Sequence, residues 1–199
     1  MHVRVHEFCQ ELTFIGRDEF NAVYPDVLKG LYDLMSSNGG RSGGEFYTPS
    51  EVTKLMAYFV KKEGCTSVFD PFCGTASIVH ELADTSAPVH FEGQELMQRT
   101  ALYARLNIDA VYGNDCNIST CDSFGCWNNK HFDAVVSCPP LALRLSERQM
   151  WEAEQMNPEY PCRSVEDIMQ IRSFHLNHAD LTVTLLAHGF CFRGNRDYE

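Results

Sequence analysis

The sequence predicts a three-layer α/β sandwich built on a mostly parallel sheet, and two observations lead to this prediction. From Thr66 onward, short apolar segments alternate with segments of helical periodicity, which is the pattern of consecutive strand–helix units. The first unit, TSVFDPFCGTASIVHELAD, has a glycine-containing turn between its apolar half and its helical half. Because ligands of parallel sheets bind beyond the carboxyl ends of the strands, the residues that follow each strand are the candidate site.

The segment that precedes the sheet is predicted to be helical. Apolar residues recur at helix-like intervals within residues 1–36, so we expect helix there. SSNGGRSGG, residues 36–44, has the composition of a flexible loop. We therefore divide the chain into a helical segment with its linker, residues 1–44, and a sheet-forming domain, residues 45–199.

The elements of that domain can be placed in order. A helix is predicted first, in TPSEVTKLMAYFVKK, where Thr48 or Ser50 can cap the amino end and Pro49 suits the first turn. Five strands follow, with helices predicted between them. The predicted strands are TSVFD, VHFEGQE, DAVYGND, HFDAVVS and LTVTLLAHG, and the predicted helices are ASIVHELAD, LMQRTALYARLNI and the region around residues 164–180.

Composition and charge narrow the class of function. With 199 residues, 44% of them hydrophobic and 22% charged, the chain is typical of a soluble globular protein. No apolar run approaches the roughly 20 residues that span a bilayer, and no signal peptide is recognisable, so we expect a cytoplasmic protein without membrane attachment. The net charge of -11 argues against a free-standing DNA-binding protein, because phosphate contacts need Lys and Arg. A subunit with a basic partner, or a chain whose basic residues share one face, stays compatible with this charge.

The nine cysteines are scattered along the chain, and their number is odd. Cys116, Cys121 and Cys126 are evenly spaced and His131 is close to them in sequence, so a metal cluster is one interpretation. Zinc sites usually have tighter CxxC pairs, so we predict no metal site and interpret these cysteines as reduced structural thiols.

The most informative motif is VFDPFCGTAS, residues 68–77. Asp70 ends the predicted strand, and Gly74 permits a tight turn close to a ligand. The amino end of the helix that follows favours an anionic or carboxylate group. Any strand–turn–helix unit of an α/β fold can produce the same pattern, so a cofactor turn and a purely structural turn both remain open.

Acidic residues also stand at the predicted ends of the next two strands. Glu95 in FEGQEL can accept hydrogen bonds from ribose hydroxyls, as acids do in dinucleotide-binding folds. Asp115 in YGND can accept a hydrogen bond from an adenine amino group. Each acid alone is better explained by a solvated loop, but acids at three successive strand ends indicate a nucleoside site.

These motifs, in this order, resemble the N6-adenine DNA methyltransferases, in particular the methylase subunits of type I restriction-modification systems. GGEFYTPSEVTKLM resembles the segment that opens their methylase domain, and VFDPFCGTAS resembles their DPxxGTG cofactor motif. FEGQELMQRTALYARLNI resembles the next strand and helix, and DAVVSCPPL stands where they have NPPF or NPPY. The tail SFHLNHADLTVTLLAHGFCFRG resembles their following helix and strand, so the resemblance extends from about residue 20 to the end.

The resemblance implies a Rossmann-like, S-adenosylmethionine-dependent methyltransferase fold. It implies S-adenosylmethionine as the cofactor, and DNA as a partner reached through a specificity subunit, within a homo- or hetero-oligomer. A complete sheet of this family has more strands than the roughly five supplied here, so we expect the carboxyl-terminal strands to be missing. The implied cofactor site consists of Phe46, Tyr47, Thr48 and Pro49 at the amino-acid end, Asp70, Cys73, Gly74 and Thr75 in the turn beneath it, Glu95 at the ribose and Asp115 at the adenine amine.

Two motifs depart from the family pattern. Ala76 replaces the last Gly of the cofactor turn, where an added methyl group is either tolerated or tightens the pocket. The implied catalytic motif is Cys138, Pro139, Pro140 and Leu141, so Cys replaces the family Asn and Leu replaces the aromatic residue. In the family reaction the Asn side chain and a backbone carbonyl, here that of Pro139, accept hydrogen bonds from the amine of a flipped adenine, on which the aromatic ring stacks. Cys is a weak acceptor and Leu has no ring face, so we expect methyl transfer to be weak or lost.

Two alternatives to this reaction remain open. A nucleophilic Cys138, as in cytosine-C5 methylation, is disfavoured because the surrounding motifs belong to the amino-methylating class. A non-catalytic protein derived from the family would bind the cofactor, DNA or another subunit. Cys138, Leu141, the acidic charge and the short chain favour this second alternative.

Overall fold

A computed structural model of the protein describes residues 19, 23, 27, 48–83, 89–112, 117–140, 143, 145–156 and 164–189. The predicted helical segment lies outside them except for Glu19, Val23 and Val27, which are helical, and the predicted linker and domain boundary also lie outside them. Helices and strands follow one another within the described ranges. They are α1 (Ser50–Lys62), β1 (Ser67–Asp70), α2 (Ile78–Leu82), β2 (His90–Glu95), α3 (Gln98–Tyr112), β3 (Asn117–Thr120), β4 (Ala134–Ser137), α4 (Glu147–Met156), α5 (Val165–His175) and β5 (Leu181–Thr184).

The strands form one parallel sheet in the order β3–β2–β1–β4–β5. The order reverses at β1, which pairs with β2 on one side and with β4 on the other. Chain connections diverge at such a point and leave a crevice at the carboxyl ends of the strands. The register places Asp70 beside Gly93, and Gly93 beside Ile118, so the carboxyl ends of β1, β2 and β3 lie close together. The predicted parallel α/β fold is therefore confirmed.

Alternate residues of the strands pack into two cores, one on each face of the sheet. On one face, Val68 of β1 packs among buried residues of α1, α2 and α3. On the other face, Phe69 packs with Phe132 and with buried residues of α5. The rings of Phe69 and Phe132 are stacked, with centroids 5.1 Å apart. A helix layer on each side of one sheet gives the predicted three layers.

The third strand lies further along the chain than the sequence predicts, so the prediction of a strand in DAVYGND was wrong. Residues 109–112 instead complete α3, where Val111 and Tyr112 pack at helical spacing against the core that contains Ile108. β3 begins at Asn117, and Ile118 is its one buried residue. An edge strand with a single buried residue lacks the apolar signal on which the prediction depended. Backbone pairing with β2 sets its position instead.

The helices before β5 also differ in extent from the prediction. α4 has no counterpart among the predicted elements, and α5 is shorter than the predicted helix around residues 164–180. α5 begins with a capping box, in which the Ser164 hydroxyl accepts a hydrogen bond from the amide of Asp167 and the Asp167 carboxylate accepts one from the amide of Ser164. None of the helices in the described part of the chain has the length and apolar character needed to cross a membrane.

Within the described part of the chain, a loop rather than a helix covers the face of β2 that carries Glu92 and Gln94. This segment, residues 121–131, is called the β3–β4 loop below. Glu92 of β2 is buried and accepts a hydrogen bond from Lys130 Nζ at 2.8 Å. Gln94, on the same face, donates to the carbonyl of Cys126 at 2.6 Å. Polar contacts here take the place of apolar helix packing and fix the path of the loop.

Cys121 and Cys126 form a disulfide within the β3–β4 loop. This corrects the expectation that both are reduced thiols, and it removes both from the cluster with His131 that the spacing suggested. The pairing depends on a turn in which the amide of Cys126 donates to the Asp122 carbonyl at 3.0 Å, and spacing alone does not reveal such a turn. Among the described cysteines, the free thiols are Cys65, Cys73 and Cys138.

The turn after β1 and the Ile118 side chain of β3 both approach Gly93 so closely that it has no room for a side chain. A Cβ there would lie 2.7 Å from Ile118 Cδ1 and 2.8 Å from Cys73 Sγ. Both neighbours are buried and would have to move, so we expect Gly93→Ala to lower the free energy of unfolding by about 1–3 kcal/mol in urea denaturation. The matched control is Gly125→Ala, whose Cβ would have its nearest neighbour at 3.8 Å and which should change the value by less than about 0.5 kcal/mol. Equal stability of the two variants would contradict the close approach.

Candidate functional site

A cavity of about 350 Å³ lies at the carboxyl edge of the sheet. The turns that follow β1, β2, β3 and β4 line it, together with the start of α1. The residues predicted from the sequence that line it are Thr48, Asp70, Cys73, Gly74, Thr75, Glu95, Cys138 and Pro140. Pro139 is buried, Pro49 is exposed and neither lines the cavity, while Phe46, Tyr47, Asp115 and Leu141 lie outside the described residues.

The turn after β1 is fixed by hydrogen bonds to its own strand and to β2. The Asp70 carboxylate accepts a hydrogen bond from the amide of Phe72 at 3.0 Å. The amide of Cys73 donates to the carbonyl of Gln94 at 3.0 Å, which ties the turn to β2. Gly74 has a φ of 55°, in the left-handed region that favours glycine. The local sequence therefore supplies the one residue type that forms this turn without strain.

Ala76, at the end of the same turn, also has a left-handed backbone, with a φ of 56°. This conformation costs a residue with a Cβ about 1–2 kcal/mol. Its side chain is buried and does not line the cavity, so Ala in place of Gly acts on the energy of the turn and not on the shape of the cavity. The turn is held in part by Asn107, a buried residue of α3 that the sequence did not single out, which donates to the Thr75 carbonyl at 2.7 Å.

Glu95 ends β2 and is oriented by backbone amides on two turns. Its Oε2 accepts a hydrogen bond from the amide of Gly74 at 3.1 Å, and its Oε1 accepts one from the amide of Met97 at 2.8 Å. Each carboxylate oxygen has a further lone pair. The side chain can therefore accept hydrogen bonds from ligand hydroxyls in the cavity without giving up its structural contacts.

Asp70 is the most strongly perturbed acid of the site. Burial raises the pKa of its carboxyl to about 7, and the negative charge of Glu95 adds to the effect. A positive charge in the cavity would stabilise the ionised form of Asp70. The acid pair therefore favours a ligand that carries a cationic group, such as an ammonium or a sulfonium.

The acid that follows the third strand is Asp122, which the sequence analysis did not select. It lines the cavity, and its Oδ1 accepts a hydrogen bond from the amide of Phe124 at 3.0 Å. The available signal was a short β-branched segment, NIST, followed by an Asp that starts a turn in CDSFG. Because the third strand was predicted over residues 109–115, Asp115 was the acid expected at its end.

Cys138 follows β4 and packs against α1. Its Sγ donates to Met56 Sδ at 3.6 Å, and it is half-buried. Burial raises the pKa of the Cys138 thiol to about 11, with the charge of Asp70 acting in the same direction. The thiolate is the reactive form of cysteine, so this thiol is not activated as a nucleophile at neutral pH.

One group of potential metal ligands occurs among the described residues, away from the cavity. His131, Asp133 and Asp180 approach one another beside the amino ends of β4 and β5. Asp133 Oδ2 already accepts hydrogen bonds from the amide and the hydroxyl of Thr66 and from the amide of Ser67. Its evident role is to join β4 to the start of β1.

This chain is similar in sequence to known DNA methylases. A family model for N-6 DNA methylases matches residues 16–199. The methylase subunit of the type I restriction enzyme MpnII from Mycoplasma pneumoniae is 28% identical over 163 residues, which cover 70% of this chain and 30% of that protein. The MjaVIII methylase subunit from Methanocaldococcus jannaschii is 39% identical over 102 residues, 48% of this chain and 18% of that protein. The chain thus spans less than a third of either relative.

Two solved structures share the fold. A type I restriction enzyme modification subunit from Vibrio vulnificus superimposes with a TM-score of 0.63 and 17% identity, over 90% of this chain and 41% of that chain. A class I S-adenosylmethionine-dependent methyltransferase from Listeria monocytogenes gives a TM-score of 0.62 and 18% identity, over 80% of this chain and 53% of that chain. At these identities the likeness establishes the architecture.

The raised pKa of Asp70 predicts how stability depends on pH. A carboxyl with a folded-state pKa of about 7 stabilises the fold below its unfolded pKa of 3.8 and loses that contribution as pH rises through 7. Asp70→Asn keeps an acceptor for the amide of Phe72 but does not ionise. We expect the wild-type chain to lose on the order of 2–4 kcal/mol relative to this variant between pH 4 and pH 8, measured by urea denaturation. Parallel pH profiles would show that Asp70 ionises normally.

Proposed function

We propose that this chain, which belongs to the N-6 DNA methylase family, binds S-adenosylmethionine in the cavity at the carboxyl edge of the sheet. We further propose that it serves in the methylation of adenine N6 in DNA. The observation that carries the proposal is the convergence of Asp70, Glu95 and Asp122, from three successive strand ends, on one cavity. Cys138 and Pro140 of the family's catalytic motif line the same cavity. Cofactor and base would therefore meet in one place.

The chemistry of the lining suits the cofactor. Glu95 has free lone pairs for ribose hydroxyls, and Asp122 can accept a hydrogen bond from the adenine amine. The buried Asp70, whose ionised form needs a counter-charge, favours the ammonium group of the amino-acid end. When bound, S-adenosylmethionine supplies the methyl group that is transferred. The turn of Cys73, Gly74 and Thr75, together with Thr48 at the start of α1, completes the proposed binding site.

For the base, the chain offers a weakened version of the family's contacts. The backbone carbonyl of Pro139 is proposed to accept one hydrogen bond from the adenine amine. Cys138 would supply a poor second acceptor, because sulfur is a weak acceptor and the thiol already contacts Met56. Leu141 would give apolar contact without ring stacking. We therefore propose slow transfer to adenine N6 by direct attack of the amine, with no covalent role for Cys138.

DNA is proposed to be reached as part of a larger assembly. Both relatives described above are methylase subunits of type I restriction enzymes, and this chain corresponds to less than a third of each. Its net charge of -11 is unfavourable for contacts with phosphates. A specificity subunit would supply those contacts, with this chain as one member of an oligomer.

A second function, cofactor binding without methyl transfer, is favoured by one observation. Cys138 directs its thiol to Met56 of α1, a contact that a purely structural cysteine would also make. In this case the cofactor-binding turns would serve to stabilise an assembly. The catalytic experiment below separates the two functions.

Binding of the cofactor is tested by calorimetry with S-adenosylmethionine and S-adenosylhomocysteine on the full chain. We expect Glu95→Gln and Asp122→Asn each to weaken binding by about tenfold or more, because each removes a charged acceptor worth about 1.5–3 kcal/mol. Asp109→Asn, on the exposed side of α3, is the matched control and should bind like the wild type. If folded wild-type protein gives no heat with either ligand at millimolar concentration, the cofactor assignment is wrong.

Catalysis is tested by restoring the family motif within the intact modification complex. The double variant Cys138→Asn, Leu141→Phe regains an acceptor amide and a ring, so we expect transfer of radiolabelled methyl groups to adenine-containing DNA to rise by roughly 10²-fold. Cys138→Ser in place of Cys138→Asn is the control, because its hydroxyl does not reach as far as the amide. An increase supports a methyltransferase with a weakened motif. Unchanged transfer, with cofactor binding intact, supports the non-catalytic function.

A further inference from the structure

Two side chains from α5 and its carboxyl end hold the main chain of the β3–β4 loop. Arg172 donates from Nη1 to the Ser123 carbonyl at 2.9 Å and from Nη2 to the Phe124 carbonyl at 3.1 Å. Asn177, just beyond α5, donates to the carbonyls of Asn128 and Lys130 at 2.7 and 2.8 Å. The loop is thus attached at two places to a helix that does not itself line the cavity.

Arg172 is built into the interior. Only 5% of the surface of Arg172 is exposed to solvent, and its guanidinium lies 5.3 Å from the centroid of the Trp127 ring. Trp127 in turn donates from its indole nitrogen to Asn177 Oδ1 at 2.9 Å. A planar guanidinium can bond two consecutive carbonyls at once, which the single ammonium of lysine does less well. The geometry of the loop at Ser123 and Phe124 therefore depends on arginine in particular.

One peptide group connects Arg172 to the acid that faces the cavity. The peptide between Ser123 and Phe124 accepts from Arg172 at its carbonyl oxygen and donates from its N–H to Asp122 Oδ1 at 3.0 Å. A cation at the carbonyl end polarises the peptide and strengthens its N–H as a donor. The orientation of this one peptide plane therefore sets the orientation of the Asp122 carboxylate.

We propose that Arg172 is a positioning residue for recognition of the adenosine part of the cofactor, acting through the Ser123–Phe124 peptide on Asp122. The inference rests on the proposed function, in which Asp122 accepts a hydrogen bond from the adenine amine. Arg172 does not contact the ligand. It fixes the acceptor that does, from a helix 48 or more residues further along the chain.

Two other contacts hold the β3–β4 loop in place. The Ser123 hydroxyl donates to the Pro71 carbonyl, which holds the loop beside the turn after β1. The disulfide joins Cys121 to Cys126 and limits the width of the loop. Neither contact engages the peptide group that bonds Asp122. With Arg172 replaced, the loop and its turn at Asp122 would stay in place, while the Ser123–Phe124 peptide would lose the guanidinium that bonds its carbonyl.

The test is a double-mutant cycle on the full chain, with affinity for S-adenosylhomocysteine and for adenosine measured by calorimetry. We expect Arg172→Met to weaken binding of both ligands by about tenfold in the wild-type background and by less than about twofold in the Asp122→Asn background. Arg172→Lys should lie between Arg172→Met and the wild type. Arg148→Met is the matched control, because Arg148 is exposed in a surface ion pair with Glu152. This variant should bind both ligands with the affinity of the wild type.

The outcomes separate the inference from the proposed function. If the wild type binds but the effects of Arg172→Met and Asp122→Asn are additive, Arg172 has only a structural role and the inference is wrong, while the proposed function stands. If the folded wild type binds neither ligand, the proposed function is wrong and the inference fails with it. Should Arg172→Met not fold, Arg172→Lys decides: wild-type affinity in that variant overturns the inference, and a loss that disappears with Asp122→Asn supports it.

Discussion

The carboxylate of Glu95 joins the two turns on which the candidate site depends. It bonds the amide of Gly74 after β1 and the amide of Met97 after β2. This bridge requires β1 and β2 to be adjacent, parallel and in register up to the pair Asp70–Gly93. Charge-assisted hydrogen bonds to two amides orient a carboxylate firmly. Strand pairing therefore sets the geometry of this side of the cavity.

The same closeness of acids makes the cavity sensitive to charge. Burial raises the pKa of Asp70 to about 7, and the nearby charge of Glu95 adds to the effect, so the ionised form of Asp70 is unfavourable without a counter-charge. Protonation of Asp70 removes this unfavourable buried charge, and binding of a cationic ligand compensates it. Ligand binding and proton release are therefore linked, and a cationic ligand should bind more tightly as pH rises through 7.

The β3–β4 loop extends this site with polar contacts in place of a helix. Glu92 and Gln94 of β2 bond the loop from the sheet, and Arg172 bonds it from α5. Each of these hydrogen bonds is directional, so such a network specifies one path for the chain more sharply than apolar packing does. That path brings Asp122 to the cavity beside the turn after β1.

The α/β class, the first two strands and the turn of Asp70 and Gly74 could be predicted from the amino-acid sequence, because buried strands and glycine turns leave local apolar and backbone signals. Those signals were absent at β3, where Ile118 alone is buried, so its position followed from pairing with β2. The convergence of Glu95 and Cys138 on one cavity could be anticipated from parallel strands and the family motifs. The place of Asp122 at the cavity, the Cys121–Cys126 disulfide and the hydrogen bonds from Arg172 to the loop depend on tertiary contacts. Each joins groups through a loop turn or a long-range contact, and spacing along the chain carries no record of these.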